Sequence, residues 1–157
     1  MTAPAPIAML AELTYRCPLS CPYCSNPVEM AAREKEISTE LWVDVFRQAA
    51  GLGVLQLHLS GGEPASRRDL VDLVAGARDA GLYTNLITSA IGLTQRRLAE
   101  LDAAGLDHVQ LSLQGTDADM ADRIGGYNGG VKRKMQGAAW IVEAGFPLRL
   151  KGVVHGQ

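Results

Sequence analysis

VLQLHLSGGEPASRRDLVDLVAGARDAGLYTNLIT, residues 54–88, changes its hydrophobic period twice. In 54–59, Leu55, Leu57 and Leu59 alternate with Gln56 and His58, the period of a strand; in 69–80, Leu70, Leu73, Val74 and Ala77 recur at helical spacing and the run stops at Gly81. A second strand-like run follows at 83–88. Strand, helix, strand is one βαβ unit, whose strands are expected to lie parallel with a right-handed crossover.

The same alternation extends in both directions. Upstream, 7–14 is mostly apolar, and 39–50 places Leu41, Trp42, Val45, Phe46 and Ala49 on one helical face behind Ser38, a suitable N-cap. Downstream come a helix at 95–104, a strand at 108–113, a helix at 132–144 and a strand at 148–154. Five strands with four intervening helices predict an α/β fold built on a parallel sheet. The C-terminal strand ends would share one rim, where such sheets bind ligands. GGYNGG at 125–130 reads as a long flexible loop. A fifth strand so near residue 157 would keep an open edge, so the chain is expected to be part of a longer protein.

Composition narrows the function classes. With 157 residues, 47% of them apolar and 20% charged, the chain can bury the core of one compact domain. A net charge of -2 gives no electrostatic basis for nucleic acid as a partner. No run reaches the roughly 18–20 apolar residues of a membrane span, and residues 1–6 carry no basic cluster ahead of an apolar stretch. A soluble cytoplasmic chain without membrane contact is expected.

All three cysteines, Cys17, Cys21 and Cys24, fall on one short segment, where a disulfide would leave an odd thiol and constrain little. Thiolates suit iron–sulfur clusters, and three of them can hold three irons of a cubane while leaving the fourth free of protein ligands. A tetrahedral zinc site needs a fourth ligand, for which His58 is the nearest candidate, and that alternative stays open. Pro18 and Pro22 fix φ in the loop. Tyr23, beside Cys24, offers a ring that either stacks on a base or packs.

Further candidates stand at the later strand ends. SGGEP at 60–64 is either an ordinary glycine turn or a place where backbone approaches a ligand and offers carbonyls to a cationic amine, with Gly61, Gly62 and Glu63 as contacts. Thr88 and Ser89 end the third strand and Ser112 and Gln114 the fourth, supplying hydroxyl and amide groups for a ribose or carboxylate. Arg123, in the helix or loop that follows, could pair with a carboxylate through its guanidinium fork. His58 and His108 read as packing or hydrogen-bonded residues, and His155 has no visible partner.

CPLSCPYC at 17–24 resembles the signature of the radical S-adenosylmethionine superfamily, and SGGEP resembles its GGE motif. The resemblance implies a partial (β/α)6 TIM-like barrel, truncated here after about five strands, with residues 1–157 as an incomplete core domain. It also implies a 4Fe-4S cluster on Cys17, Cys21 and Cys24. S-adenosyl-L-methionine would chelate the open iron and be cleaved to a 5′-deoxyadenosyl radical. The rim positions that often read TNG and SxDG in the family are Thr88-Ser89-Ala90 and Ser112-Leu113-Gln114-Gly115 here, so Gln114 replaces a carboxylate. Lys151 stands where relatives commonly carry Asn.

Within the family, the blocks at 10–27, 51–64, 80–93 and 105–115 are similar to the branch that serves pyrroloquinoline quinone biosynthesis, with Ser25-Asn26-Pro27 and Gln114 as favouring details. That likeness implies carbon–carbon cross-linking of a Glu and a Tyr in a precursor peptide. It further implies a peptide-binding chaperone, a flavodoxin-like electron donor and a cysteine-rich C-terminal extension with auxiliary clusters, of which these 157 residues contain nothing. The other readings are a different peptide-modifying radical enzyme and a non-catalytic zinc-binding or interaction domain.

Overall fold

The computed structural model describes residues 4–24 and 36–153. The strands are β1 (Ala8–Glu12), β2 (Gln56–Ser60), β3 (Tyr83–Thr88), β4 (His108–Leu113) and β5 (Leu148–Gly152); the helices are α1 (Thr39–Gly51), α2 (Leu70–Asp79), α3 (Gln95–Ala104), α4 (Ala118–Gly125) and α5 (Gly130–Glu143). All pairings are parallel and the sheet order is β1-β2-β3-β4-β5. Sequential order with crossovers of one hand puts α1, α2, α3 and α5 side by side on one face, the arrangement of a barrel wall rather than of a doubly wound sheet. The α/β class and the partial barrel are therefore as expected.

The two faces follow from the period of two along each strand. Leu57 and Leu59 of β2, Leu86 of β3 and Val109 and Leu111 of β4 are buried beneath the helices, packed with Phe46, Leu73, Leu98, Leu101 and Ile141. On the opposite face His58, Asn85 and Gln110 stand beside Leu10 and Ile87. His58 is in register with Asn85 and Asn85 with His108, and His58 Nδ1 and Asn85 Nδ2 are 3.0 Å apart, so His58 is a hydrogen-bonded residue of the sheet.

Local chemistry sets the helix ends. Ser38 caps α1 by accepting from Leu41 N at 3.3 Å, and the buried face comprises Trp42, Phe46 and Ala49. Leu41, expected on that face, is 52% exposed.

Other expectations are revised. Residues 118–125 form a helix of their own, α4, started by Asp117, which accepts from Met120 N at 2.8 Å, and ended by left-handed Gly126. GGYNGG is consequently a tight turn between α4 and α5: Asp122 accepts from Gly129 N at 2.5 Å and Val131 N at 2.9 Å. β5 ends at Gly152; His155 and Ser25-Asn26-Pro27 lie outside the described residues. Among the described residues no helix is long and apolar enough to cross a membrane.

Candidate active site at the rim of the sheet

The segment that carries the cysteines is held from two sides. From β2, Gly62 N donates to Thr14 O at 2.6 Å and Glu63 N to Arg16 O at 2.7 Å, continuing the contact in which Leu13 N donates to Ser60 O at 2.9 Å. Gly61 adopts φ +121, and a Cβ there would lie 2.4 Å from Thr14 O. A Cβ on Gly62 would lie 2.4 Å from Arg16 O. The two glycines are thus required by the chain's own backbone, whatever a ligand adds. From α4, Gly125 O accepts from Ser20 N at 2.9 Å, and a Cβ on Gly126 would fall 2.0 Å from Ser20 Oγ.

On the outer side, Arg16 bonds Glu36 through Nε and Nη2, each at 3.2 Å, and Ser66 O at 3.1 Å, while Thr14 donates to Glu36. Arg16 and Thr14 hold the Glu36 carboxyl below its ordinary range although burial opposes them.

This interlocked loop forms one wall of a cleft of about 200 Å³. Cys17, Cys21, Cys24 and Tyr23 line that wall; Gly61 and Gly62 line it from the turn after β2; Thr88 and Ser89, then Ser112 and Gln114, line it from the ends of β3 and β4. Lys151 of β5 also faces it. The thiols are free, Cys17 and Cys21 half-buried and Cys24 exposed. Burial pushes the Cys17 thiol up, and the charges of Glu63, Cys21 and Cys24 push it further. The Cys21 thiol is raised by burial, against the pull of Lys134. These thiols resist ionising together unless positive charge is brought among them, which a bound metal supplies.

Two expected contacts do not line the cleft. Glu63 is 1% exposed, and its carboxylate accepts from Thr88 Oγ1 at 2.6 Å, Ser89 Oγ at 2.5 Å, Ser89 N at 2.7 Å and Ala65 N at 3.0 Å. Its side chain is the buried anchor of Thr88 and Ser89, and both hydroxyls are already engaged by it. Arg123 is exposed on α4, whose buried positions are Ala121 and Gly125. Two residues from each, about 200° around the helix, its side chain leaves on the far face.

Residues 11–156 match the sequence profile of the Radical SAM superfamily. The chain belongs to that superfamily. It is 66% identical over 155 residues to the PqqA peptide cyclase of Ruegeria pomeroyi, an alignment that takes in 99% of this chain and 41% of the relative. The chain therefore spans about two-fifths of the length of that curated relative. Among solved structures it is similar to Streptococcus suis SuiB bound to the precursor peptide SuiA, with a TM-score of 0.84 at 24% identity over 97% of this chain and 34% of that one. It is also similar to SuiB bound to S-adenosylmethionine, with a TM-score of 0.85 at 23% identity over 97% of this chain and 35% of that one. At such identities the solved structures establish the shared fold.

Cys17, Cys21 and Cys24 line one cleft, and their thiols are the donor type that an iron–sulfur cluster takes. A cubane, in which each thiolate takes a different iron, asks only that the three ring a common space, as they do here. Lys134 belongs to the same rim, although no motif singles it out. It is 2% exposed, and its Nζ donates to Ser112 O at 3.1 Å and to Gln114 Oε1. The signal was present in the spacing: α5 buries Gly130, Lys134, Gly137 and Ile141, a helical stripe with a lysine in it.

Proposed function

We propose that this chain is the cofactor-binding core of a radical S-adenosyl-L-methionine enzyme that acts on a peptide. The whole protein's reaction is the Glu–Tyr carbon–carbon cross-linking of a precursor peptide in pyrroloquinoline quinone biosynthesis. The observation that carries this is the convergence of Cys17, Cys21 and Cys24 with the Gly61-Gly62 turn on one cleft, at the rim where parallel sheets of this kind work. The 66% identity to a PqqA peptide cyclase supports the choice of reaction, and SuiB, solved with a precursor peptide and with S-adenosylmethionine, supports the ligand classes.

In this reading Cys17, Cys21 and Cys24 hold a 4Fe-4S cluster, which when bound supplies the electron that cleaves S-adenosyl-L-methionine to the 5′-deoxyadenosyl radical. Gly61 and Gly62 offer backbone carbonyls to the methionyl amine. Ser89, Ser112 and Gln114 meet the ribose and carboxylate, and Tyr23 lies alongside the adenosyl group. Glu63 acts from beneath by fixing Thr88 and Ser89. Residues 1–157 form the core domain; auxiliary clusters belong to the rest of the whole protein, which works in the cytoplasm with a peptide-binding chaperone and a flavodoxin-like electron donor as partners.

The experiment is anaerobic reconstitution with iron and sulfide, followed by reduction in the presence of S-adenosyl-L-methionine. A brown chain that releases 5′-deoxyadenosine is expected. A colourless chain that takes up one zinc and makes no 5′-deoxyadenosine would establish the binding-module reading instead.

A further inference from the structure

Gln114 has a single hydrogen-bonding orientation. Lys134 carries only donors, and its Nζ meets Gln114 Oε1 as well as Ser112 O, so the amide oxygen faces the lysine. The Nε2 donors consequently turn away from the lysine. Gln114, Ser112 and Tyr23 all line the cleft; Lys134 lies behind them.

Among the described residues no carboxylate is within ion-pair distance of the Lys134 ammonium. Glu63 and Asp122 act on it from further away, as do the thiols of Cys21 and Cys17. Glu63 is already occupied by Thr88, Ser89 and Ala65, and Asp122 by the backbone of Gly129 and Val131. The lysine is therefore held by two neutral oxygens at the edge of a thiol-lined cleft.

We propose that Lys134 is a positioning residue that locks the Gln114 amide with its donors turned to the cleft and stands as a buried positive charge behind the cysteine loop. The charge argument rests on Cys17, Cys21 and Cys24 being cluster ligands. An ammonium paired with no carboxylate favours the more negative, reduced state of whatever those thiolates bind, and so raises its reduction potential.

Two measurements test this. In the 15N-labelled apo chain, the side-chain amide pair of Gln114, identified by its loss in Gln114→Glu, is expected to be dispersed and slow to exchange. Lys134→Met should move it to the position of exposed glutamines. In the reconstituted chain, an EPR-monitored titration of Lys134→Met should show a potential lower by about a tenfold change in the reduced-to-oxidised ratio, ~59 mV for one electron. Gln114→Glu, which pairs the ammonium without removing it, should shift the same way, whereas Lys134→Arg should stay near the parent.

An unmoved Gln114 resonance in Lys134→Met, or parent potentials in both Lys134→Met and Gln114→Glu with full cluster, overturns the proposal. Should Lys134→Met fail to fold, Gln114→Glu decides: a parent potential there is equally fatal. If the parent chain takes up no iron and sulfide, the proposed function fails and the charge argument with it. The resonance measurement still decides whether Lys134 orients Gln114.

Discussion

Gly62 has no room for a side chain, because a Cβ there would meet Arg16 O at 2.4 Å and Tyr15 O at 2.7 Å, both backbone atoms at the start of the cysteine loop. Gly62→Ala must push that loop off β2 and break the 2.7 Å bond from Glu63 N to Arg16 O. The expected cost is about 1–3 kcal/mol, read as a lower melting temperature, together with reduced iron and sulfide per chain after reconstitution. A variant with the parent's stability and iron content would show that the loop yields freely. The motif was legible in the sequence as a glycine turn at a strand end. That its glycines answer first to the chain's own backbone was not, because the partner atoms lie some 46 residues away and emerge only once β1 and β2 pair. Glu63 is similar: the motif predicts a carboxylate facing a ligand, whereas the side chain is buried against Thr88 and Ser89. Glu63→Gln keeps the shape but turns an amide donor towards groups that themselves donate. A loss of about 2 kcal/mol is expected in denaturant unfolding, and a change within experimental error would argue that the pocket reorganises around the amide.

Helix α5 shows at the level of an element what periodicity reveals and conceals. Its length was readable from the repeat, but its buried stripe contains Lys134 and Gly137, and neither is explained without its neighbours. A Cβ on Gly137 would sit 2.7 Å from the Cβ of Ala90, which holds a left-handed φ of 61° at the turn after β3. Gly137→Ala is therefore expected to destabilise by about 1–3 kcal/mol. Ala90→Gly, which removes the opposing methyl and suits the left-handed backbone, should recover most of that loss in the double variant; additive losses would refute the contact. Helix α4 escaped the periodic reading because eight residues give too few turns for a stripe, although its Asp117 cap and Gly126 stop were in the sequence. The short turn at Pro64–Ser66 leads into Arg67, whose buried guanidinium bonds Leu13 O at 2.8 Å, Ile37 O at 3.1 Å and both oxygens of Asp69, at 3.0 and 2.6 Å. The Arg67 fork, with Thr39, holds the Asp69 carboxyl well below the usual carboxylate range although burial opposes it. A folded pKa below the unfolded one contributes stability that is complete above about pH 4 and lost as pH falls further. Asp69→Asn should thus be less stable than the parent at pH 7, with the gap closing below about pH 4; a gap constant across that range would mean the carboxyl is not linked to folding.

For the molecule as a whole, the sheet divides the labour between its two sides: the helix-covered face holds the apolar core, and the rim holds the chemistry. The cysteine loop belongs to the rim. Its path is fixed by backbone bonds from Gly62, Glu63 and Ser20, to Thr14 O, Arg16 O and Gly125 O respectively, and by the Arg16–Glu36 pair, none of which uses a thiol. The thiols are free and only half-buried or exposed, so they contribute little to the core. Folding and metal binding should therefore separate cleanly in this chain, unlike small metal-folded domains, whose folding free energy is supplied by the metal. Cys17→Ser, Cys21→Ser and Cys24→Ser are each expected to keep the parent's far-ultraviolet circular dichroism, with apo-chain stability within about 0.5 kcal/mol. In the proposed cluster each thiolate would take a different iron, so each variant should nonetheless lose the whole cluster, from about four irons per chain to near none. Three cysteines in 157 residues are enough for that one cluster. Melting temperatures of the apo chains set beside iron and sulfide per chain make the comparison. A serine variant that keeps its iron would remove that thiol from the ligand set, whereas one that unfolds without metal would show that the loop, and not the β2 turn and α4 that grip it, is what the rim depends on.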